Sequence, residues 1–189
     1  MDAFSLTEDA LLEIAREKLG THIREYDSVG GSWTVDMLRR ALARAPAIYV
    51  AFVGSTDSAN QPDHQDARFV LYVITASSRG ESYRRRGDGH TVGAYQILNA
   101  LCPALRDRVV EDVGTLKLKA VRNLFQEVLF DLGGTVYGIE VSVPLDFIDA
   151  VDEQSLDDFI TFDADYDPAS EDDGRPAVRD HLTVQEQEN

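Results

Sequence analysis

The residue types that most often perform chemistry are present in this chain but scattered. Cys102 is the single cysteine, which excludes an intrachain disulfide framework and a multi-cysteine metal site. It falls on the apolar stripe of a predicted helix, and this position favours a small core residue over an activated nucleophile. His64 and Asp66 place an imidazole and a carboxylate in one polar turn, a pattern more typical of solvated side chains than of a catalytic pair. The histidines show no metal-binding spacing; they are His22, His64, His90 and His181.

A glycine-rich stretch at 87–93 resembles a phosphate-binding loop only superficially. Its Gly-Asp-Gly-His-Thr-Val-Gly order does not match GxGxxG and lacks the GK[ST] ending of a P-loop. An anion would fit at the helix that follows, but a plain loop with Thr91 as the helix cap explains the same residues. The acidic pairs at 157–158 and 172–173 fall in a polar segment where a metal would lack fixed ligands. We therefore expect no enzyme activity, no cofactor and no metal.

Three consecutive arginines, Arg84, Arg85 and Arg86, are the most distinctive feature of the predicted surface. They lie in a predicted loop over 77–90 that is rich in serine, glycine and arginine and also contains Arg79. Adjacent guanidinium groups pair well with carboxylates or phosphates on a partner. The loop is either solvated or a contact to another protein, and the sequence leaves both open. For a contact, an acidic neighbouring subunit is a better partner than DNA because the chain as a whole is acidic.

The acidic charge is concentrated at the C-terminal end. The net charge is −16, and residues 146–189 carry 15 acidic residues against two arginines, a net of −13. Residues 1–145 have a net charge of only −3. Such a balance disfavours non-specific nucleic-acid binding driven by counterion release, and we expect no sequence-specific DNA recognition. We predict an α+β domain over 1–145 and an acidic extension over 146–189 that is partly disordered when free.

The chain of 189 residues has the composition of one soluble domain with an extension. Its apolar fraction is 43% and its mean hydropathy is −0.25. No stretch approaches the roughly 18 apolar residues of a membrane span. The first residues, Met1–Phe4, have neither a basic start nor an apolar run, so export by a signal peptide is not expected. The single cysteine suits folding in a reducing cytoplasm.

Periodic apolar residues predict three helices. The first spans about 5–19, with Ser5 and Glu8 at the spacing of a capping box and Gly20 at its end. A second apolar stripe runs from Val35 to Ala45 and is stopped by Pro46. The third helix spans about 91–105, with Pro103 in its last turn.

The remaining patterns predict strands. Strands are predicted over 47–53 and 67–76, with nearly continuous apolar residues in 47–53 and 69–74. Such runs indicate central strands covered on both faces, here joined by a polar turn over 54–66. Residues 22–26 suggest a short strand. Alternation over 116–120 and 137–143 predicts strands with one wet face, and Gly133–Gly134 suggests a hairpin before the last one. The fold class is therefore α+β, with helices packed on a mixed, largely antiparallel β-sheet.

The acidic extension has the layout of a tethered arm. Phe159, Ile160 and Phe162 precede the polar residues 163–180, and a β-prone run over 182–184 follows them. The polar part buries too little apolar surface to order alone. We predict that the arm is held at its start and becomes ordered against a neighbouring protein, for example by adding a strand to a sheet edge.

A series of segments resembles the Mu-like phage tail-terminator family. Its strongest part is Ala67–Glu81, followed by Arg85-Arg86-Gly87 and then Val92–Leu98. Further segments occur in matching order, and the resemblance covers roughly 4–167. They are the first helix, Arg39–Leu42 leading to Pro46-Ala47, the Tyr137–Val143 strand, and Leu156–Phe159 ahead of Asp163–Asp167.

The resemblance implies a structural protein of the virion. Members of this family cap the completed tail tube of a contractile-tailed phage as a hexameric ring, which stops tube polymerisation and provides the surface for joining the head. Implied partners are other copies of the chain, the tail tube protein, neck or connector proteins and the tail sheath. DNA would pass through the lumen, and no membrane, cofactor or catalytic residue is implied. The implied location is the head-proximal end of the tail, after assembly in the host cytoplasm.

Two alternatives to a tail terminator remain open at the level of sequence. A head–tail connector or neck completion protein of similar size would bind the connector instead of the tube. A small hydrolase or nucleotide-binding domain would need a cluster of acids and bases in a concave pocket. We expect a dilute subunit to be monomeric or weakly associating, and a ring to form on the tube. The candidate assembly contacts are Arg79, Arg84, Arg85, Arg86, Phe159 and Phe162.

Overall fold

A five-stranded mixed sheet organises the fold. The computed structural model describes residues 2–31, 33–57, 65–124 and 132–145, together with the backbone of 161–165 and 179–183. The sheet order is β1-β2-β3-β7-β6, in which β1 and β2 are parallel and the other pairs are antiparallel. Its strands are β1 (Glu25–Ser28), β2 (Ala47–Asp57), β3 (Gln65–Ala76), β6 (Lys117–Asn123) and β7 (Gly134–Leu145).

Four helices and two small ribbons complete the described elements. The helices are α1 (Ala3–Leu19), α2 (Val35–Ala43), α3 (Glu81–Arg86) and α4 (Ala94–Leu105), and a single 3-10 turn spans Gly20–His22. One ribbon joins β4 (Val109–Val110) to β5 (Gly114–Thr115). The other joins β8 (Thr161–Asp165) to β9 (Arg179–Thr183) in antiparallel register. The α+β class predicted from the sequence is confirmed.

The two faces of the sheet carry separate apolar clusters. Helices α1 and α4 cover one face, where Phe69, Leu71 and Ile139 are fully buried. Helix α2 covers part of the other face, where Tyr49 and Ile74 are buried. Each fully buried side chain of this size contributes about 1.5–3 kcal/mol relative to exposure. The continuous apolar runs of β2 and β3 follow from burial on both faces, as predicted.

Some predicted boundaries are wrong in informative ways. Helix α1 begins earlier than Ser5, because Asp2 is its N-cap and accepts a hydrogen bond from the Ser5 amide at 2.9 Å. Gly20 ends the helix as predicted, with its N–H bonded to the Arg16 carbonyl. The first strand is Glu25–Ser28, whereas His22 lies in the 3-10 turn. Strands β2 and β3 extend into the predicted polar turn, of which 58–64 lie outside the described residues.

Strand β7 differs most from its predicted environment. The alternation over 137–143 suggested one wet face, yet Gly138 and Ser142 are buried. Leu124 packs closely against Gly138. A Cβ added to Gly138 would lie 3.2 Å from the Cδ1 atom of Leu124. Strand β6 does have the predicted wet face, with Lys117 and Lys119 exposed. The segment 125–131 between β6 and β7 lies outside the described residues.

The chain divides into two compact units, Met1–Phe147 and Ile148–Asn189. The second unit contains the β8–β9 ribbon. Phe159 lies outside the described residues, and only the backbone of Phe162 is described. The structure describes only the paired strands β8 and β9 of the predicted arm. The arm and its disorder when free therefore stay predictions. Among the described residues, no helix is both long enough and apolar enough to cross a membrane.

Candidate interaction surface

The predicted arginine loop contains a short helix. Residues Glu81–Arg86 form α3 between Gly80 and Gly87, both of which have positive φ. Glycine adopts this backbone conformation without the steric cost that other residues meet, so the two glycines set the ends of the helix. The prediction that 77–90 is a plain loop is wrong. Because the arginines lie on a helix, they point in different directions.

Arg84 points into the protein. Arg84 is only 8% exposed. Its guanidinium donates to the carbonyls of Ser77 at 3.2 Å and Gly134 at 3.1 Å. The Arg84 carbonyl in turn accepts from the Thr75 hydroxyl at 2.9 Å. This arginine ties α3 to the ends of β3 and β7. Its guanidinium is therefore occupied by its own chain, and the expectation that all three arginines face outward is wrong.

Arg85 is held at the surface by aromatic and acidic neighbours. Its Nη1 donates to the Tyr95 hydroxyl at 3.0 Å, and its guanidinium lies 5.7 Å from the centre of the Tyr95 ring. The Glu81 carboxylate lies 3.1 Å from its Nε, one helical turn away. These contacts fix the guanidinium in place.

The hydroxyl of Tyr95 is shared with a buried neighbour. The hydrogen bond from Arg85 lowers the pKa of Tyr95, and a second bond from Tyr137 acts in the same direction. Burial raises the pKa of Tyr137 to about 12, and the adjacent Tyr95 adds to the shift. Since Tyr137 belongs to the core of the sheet, the pair links the surface arginine to β7.

Arg79 and the loop that follows α3 form the next part of the surface. The Arg79 Nη1 donates to the Asp88 carboxylate at 2.9 Å, and its guanidinium lies 6.0 Å from the centre of the exposed Tyr83 ring. The other oxygen of Asp88 accepts from the amides of His90 at 3.0 Å and Thr91 at 2.7 Å. These bonds lower the pKa of Asp88, the Thr91 amide contributing most.

Two glycines close the loop between α3 and α4. A Cβ added to Gly93 would lie 2.2 Å from the Gly87 nitrogen, and one added to Gly87 would lie 2.6 Å from the Gln96 side chain. At the start of α4, the side-chain Oε1 of Gln96 accepts a hydrogen bond from the Gly93 amide at 2.9 Å. Thr91 is therefore not the helix cap. The glycine-rich stretch serves close backbone packing, and its polar groups bond within the loop.

We define the arginine–tyrosine surface as the exposed and half-buried members of this cluster. Arg86 is exposed, and no hydrogen bond or ion pair of its side chain is found among the described residues. Tyr83 is 45% exposed and Tyr95 is 37% exposed. Arginine and tyrosine are enriched at protein interfaces, where they supply large contact area. The surface comprises Arg79, Tyr83, Arg85, Arg86 and Tyr95.

The other candidates for chemistry that the structure describes do not form a site. His64 and the acidic pairs at 157–158 and 172–173 lie outside the described residues. Cys102 is half-buried in α4, and burial raises the pKa of its thiol. A nucleophilic thiolate is disfavoured there. His22 and His90 lie in separate turns. Within the described part of the chain, no three His, Cys, Asp or Glu residues are grouped to hold a metal ion.

Sequence reasoning found the arginines but missed Tyr83 and Tyr95 as surface residues. Tyr95 fits the apolar stripe of a helix, although its position at the start of α4 places its hydroxyl beside Arg85. Tyr83 shows no periodic pattern because α3 has only six residues. The signal available for Tyr83 was its place directly before the arginine run, whereas Tyr95 lies ten residues after Arg85 and offered no such signal.

The fold and the surface together define the class of this protein. It is an α+β protein that carries a surface rich in arginine and tyrosine. The sequence profile of the family described as "Bacteriophage Mu, Gp37" matches residues 3–146, and the chain belongs to this family. The predicted resemblance is therefore confirmed.

Two relatives are similar over most of their length. One is the Mu-like prophage FluMu protein gp37 of Haemophilus influenzae, 29% identical over 163 residues, which cover 86% of this chain and 80% of the relative. The other is the probable tail terminator protein of Escherichia phage Mu, 27% identical over 153 residues, which cover 81% of this chain and 80% of the relative.

Proposed function

We propose that this protein is a structural tail terminator of a phage with a Mu-like tail. The observation that carries the proposal is the family match over residues 3–146, together with the phage Mu relative of that name. The chain acts as a component of the virion at the head-proximal end of the tail. It performs no catalysis.

In the proposed mechanism, six copies form a ring on the last layer of the tail tube. The ring blocks addition of further tube subunits and presents its outer face to the neck or connector proteins that join the head. The sheath is a further neighbour of this ring. DNA passes through its lumen, where a net acidic chain avoids holding phosphates. Exposed arginines and tyrosines suit the contacts that such an assembly needs.

Tube growth in the presence of the protein tests this function. Purified tail tube protein from the same phage is polymerised with and without the chain, and tube lengths are measured by electron microscopy. We expect shorter tubes of uniform length with a sixfold ring at one end. A tube-length distribution unchanged at saturating protein would contradict the proposal.

The runner-up function, a neck completion protein, predicts a different binding partner. Such a protein binds the connector of filled heads and leaves tube growth unaffected. Co-sedimentation with purified heads and with purified tubes separates the two. Binding to heads alone would favour the neck protein.

A further inference from the structure

Helix α1 presents an acidic face to solvent. Asp9, Glu13 and Glu17 recur every four residues, so their side chains lie along one side of the helix. All three are exposed. Glu17 pairs with Lys18 and Arg108, whereas no ion pair of Asp9 or Glu13 is found among the described residues. We call these three residues the acidic face.

A groove runs along the acidic face. It separates α1 from residues 108–111, and Asp9, Glu13 and Glu17 line it together with Val109 and Arg108. Val109 is 67% exposed, the highest fraction among the large apolar side chains at the described surface. An apolar side chain beside carboxylates is a combination that a cationic and aromatic partner surface can cover.

The arginine–tyrosine surface is such a partner surface, carried by the same chain. Residues 79–88 contain three surface arginines, Arg79, Arg85 and Arg86, and two acidic residues, since the fourth arginine of the stretch faces inward. Tyr83 and Tyr95 supply exposed apolar area beside the arginines. Arg79 and Arg85 are already held by ring and carboxylate contacts, so binding costs less side-chain entropy.

A second basic strip of the described surface, on β6, is less suited to a contact. Lys117, Lys119 and Arg122 lie along the edge strand β6. Lysine is depleted at interfaces, and lysine on an edge strand discourages pairing with other strands. A register shift between Leu118 and Ala120 further disrupts this edge. The arginine–tyrosine surface is therefore the better partner of the two.

We propose that the acidic face of α1 on one copy binds the arginine–tyrosine surface of the next copy. The inference rests on the proposed ring. Helix α4 packs against both α1 and α3, and the ion pairs found at the two surfaces, among the residues that the structure describes, do not join them within one chain. Two different, complementary surfaces on one subunit give head-to-tail contacts, which close into a ring when the rotation permits.

Charge reversal on each surface tests the contact in the full-length protein. The acid-reversed variant is Asp9→Lys with Glu13→Lys, and the base-reversed variant is Arg79→Glu with Arg86→Glu. Arg84 and Arg85 stay unchanged because both are tied to β7, Arg84 through the Gly134 carbonyl and Arg85 through Tyr95. Arg79 contacts only the loop and the exposed Tyr83 ring. Self-association is measured by sedimentation velocity over a concentration series at low salt, and circular dichroism verifies that each variant is folded.

Each variant alone should associate at least about tenfold more weakly than the wild type, because like charges then face each other. An equimolar mixture should recover association to within about threefold, since acid-reversed and base-reversed copies complement each other at both contacts. Arg39→Glu with Arg40→Glu on α2 changes the net charge by the same amount as the base-reversed variant and serves as its matched control. Its association should resemble that of the wild type.

Two results would overturn the proposal. In the first, the folded variants show no recovery on mixing. In the second, only the base-reversed variant is impaired, which would assign the acidic partner to another segment such as 146–189. The tube-length assay separates this contact from the proposed function. Recovery of association on mixing, without any tube capping, would support the contact and contradict the terminator role. Tube capping by each variant alone would support the terminator role and contradict the contact.

Discussion

Arg84 and Gly134, fifty residues apart in the chain, are joined by a hydrogen bond of 3.1 Å from the guanidinium to the carbonyl oxygen. The bond links the short helix α3 to the first residue of β7. It also orients α3, because Arg84 is the helix residue that faces inward. The outward direction of Arg85 and Arg86 depends on it.

Replacing Arg84 by alanine should destabilise the protein by about 2–3 kcal/mol, since the buried Gly134 carbonyl and the part-buried Ser77 carbonyl lose a charged donor. Urea unfolding followed by circular dichroism measures the loss. Arg86→Ala, on the exposed side of the same helix, is the matched control and should change stability by less than about 0.5 kcal/mol. Equal effects of the two substitutions would contradict the inward role of Arg84. A triple alanine variant of 84–86 therefore does not isolate an assembly contact.

Gly93→Ala should destabilise the protein by about 1–3 kcal/mol, because the added Cβ would meet the backbone of Gly87 at 2.2 Å. Gly30 has no atom within 4 Å of such a Cβ and no positive φ, so Gly30→Ala is the control. Thermal midpoints of both variants provide the measurement. A Gly93→Ala protein as stable as the control would show that the loop opens freely.

Stability should fall at alkaline pH in part through Tyr49. Burial, assisted by the Glu25 carboxylate, raises the pKa of Tyr49 from 10.0 to about 12. The folded state then holds the proton more tightly than the unfolded chain. The stabilising contribution of the protonated Tyr49 hydroxyl is therefore complete below pH 10 and is lost as the pH rises through about 12.

Tyr49→Phe should remove about 1–3 kcal/mol of this alkaline loss. Urea unfolding at several pH values from neutral to about 12 measures it. Tyr83→Phe, which changes an exposed ring, should keep the wild-type dependence. An unaltered slope in Tyr49→Phe would exclude Tyr49 as a source of the alkaline loss.

Ending the chain before Asp163 removes most of the β8–β9 ribbon but should leave the α+β domain over 1–145 folded, and it should reduce joining to a partner protein. The reason is that the domain matched by the family ends at residue 146, whereas the segment after it carries most of the negative charge. The defect should be larger at low salt, where charge contributes most. Limited proteolysis of the full-length chain should cut from about residue 163 onward. Truncated subunits that yield joined tails at the wild-type frequency would contradict a role in assembly.

The sequence was most informative where burial follows from local composition. The apolar runs of β2 and β3 could be assigned because strands covered on both faces need apolar residues at every position. Helix α3 could not, since six residues between two glycines carry no apolar period. The burial of Arg84 depends on a carbonyl fifty residues away, and the environment of Gly138 depends on Leu124. Such long-range contacts leave no trace in local spacing.

The candidate surface was therefore only half predictable. A run of three arginines signalled a contact, but a helix distributes consecutive side chains around its axis, and only the fold decides which of them face solvent. The acidic face of α1 has a readable signal in the spacing of Asp9, Glu13 and Glu17. The apolar stripe of the same helix explains its pattern without reference to a partner, so the acidic spacing alone did not indicate a contact.

The close backbone contact between Gly87 and Gly93 fixes the base of this loop without fixing the residues at its tip. The loop is held shut by backbone contact and by Asp88, whereas Gly89 and His90 at its tip are exposed. Substitutions of His90 should therefore have little effect on folding. The sequence of this tip can therefore change while the closure and the subunit fold stay the same.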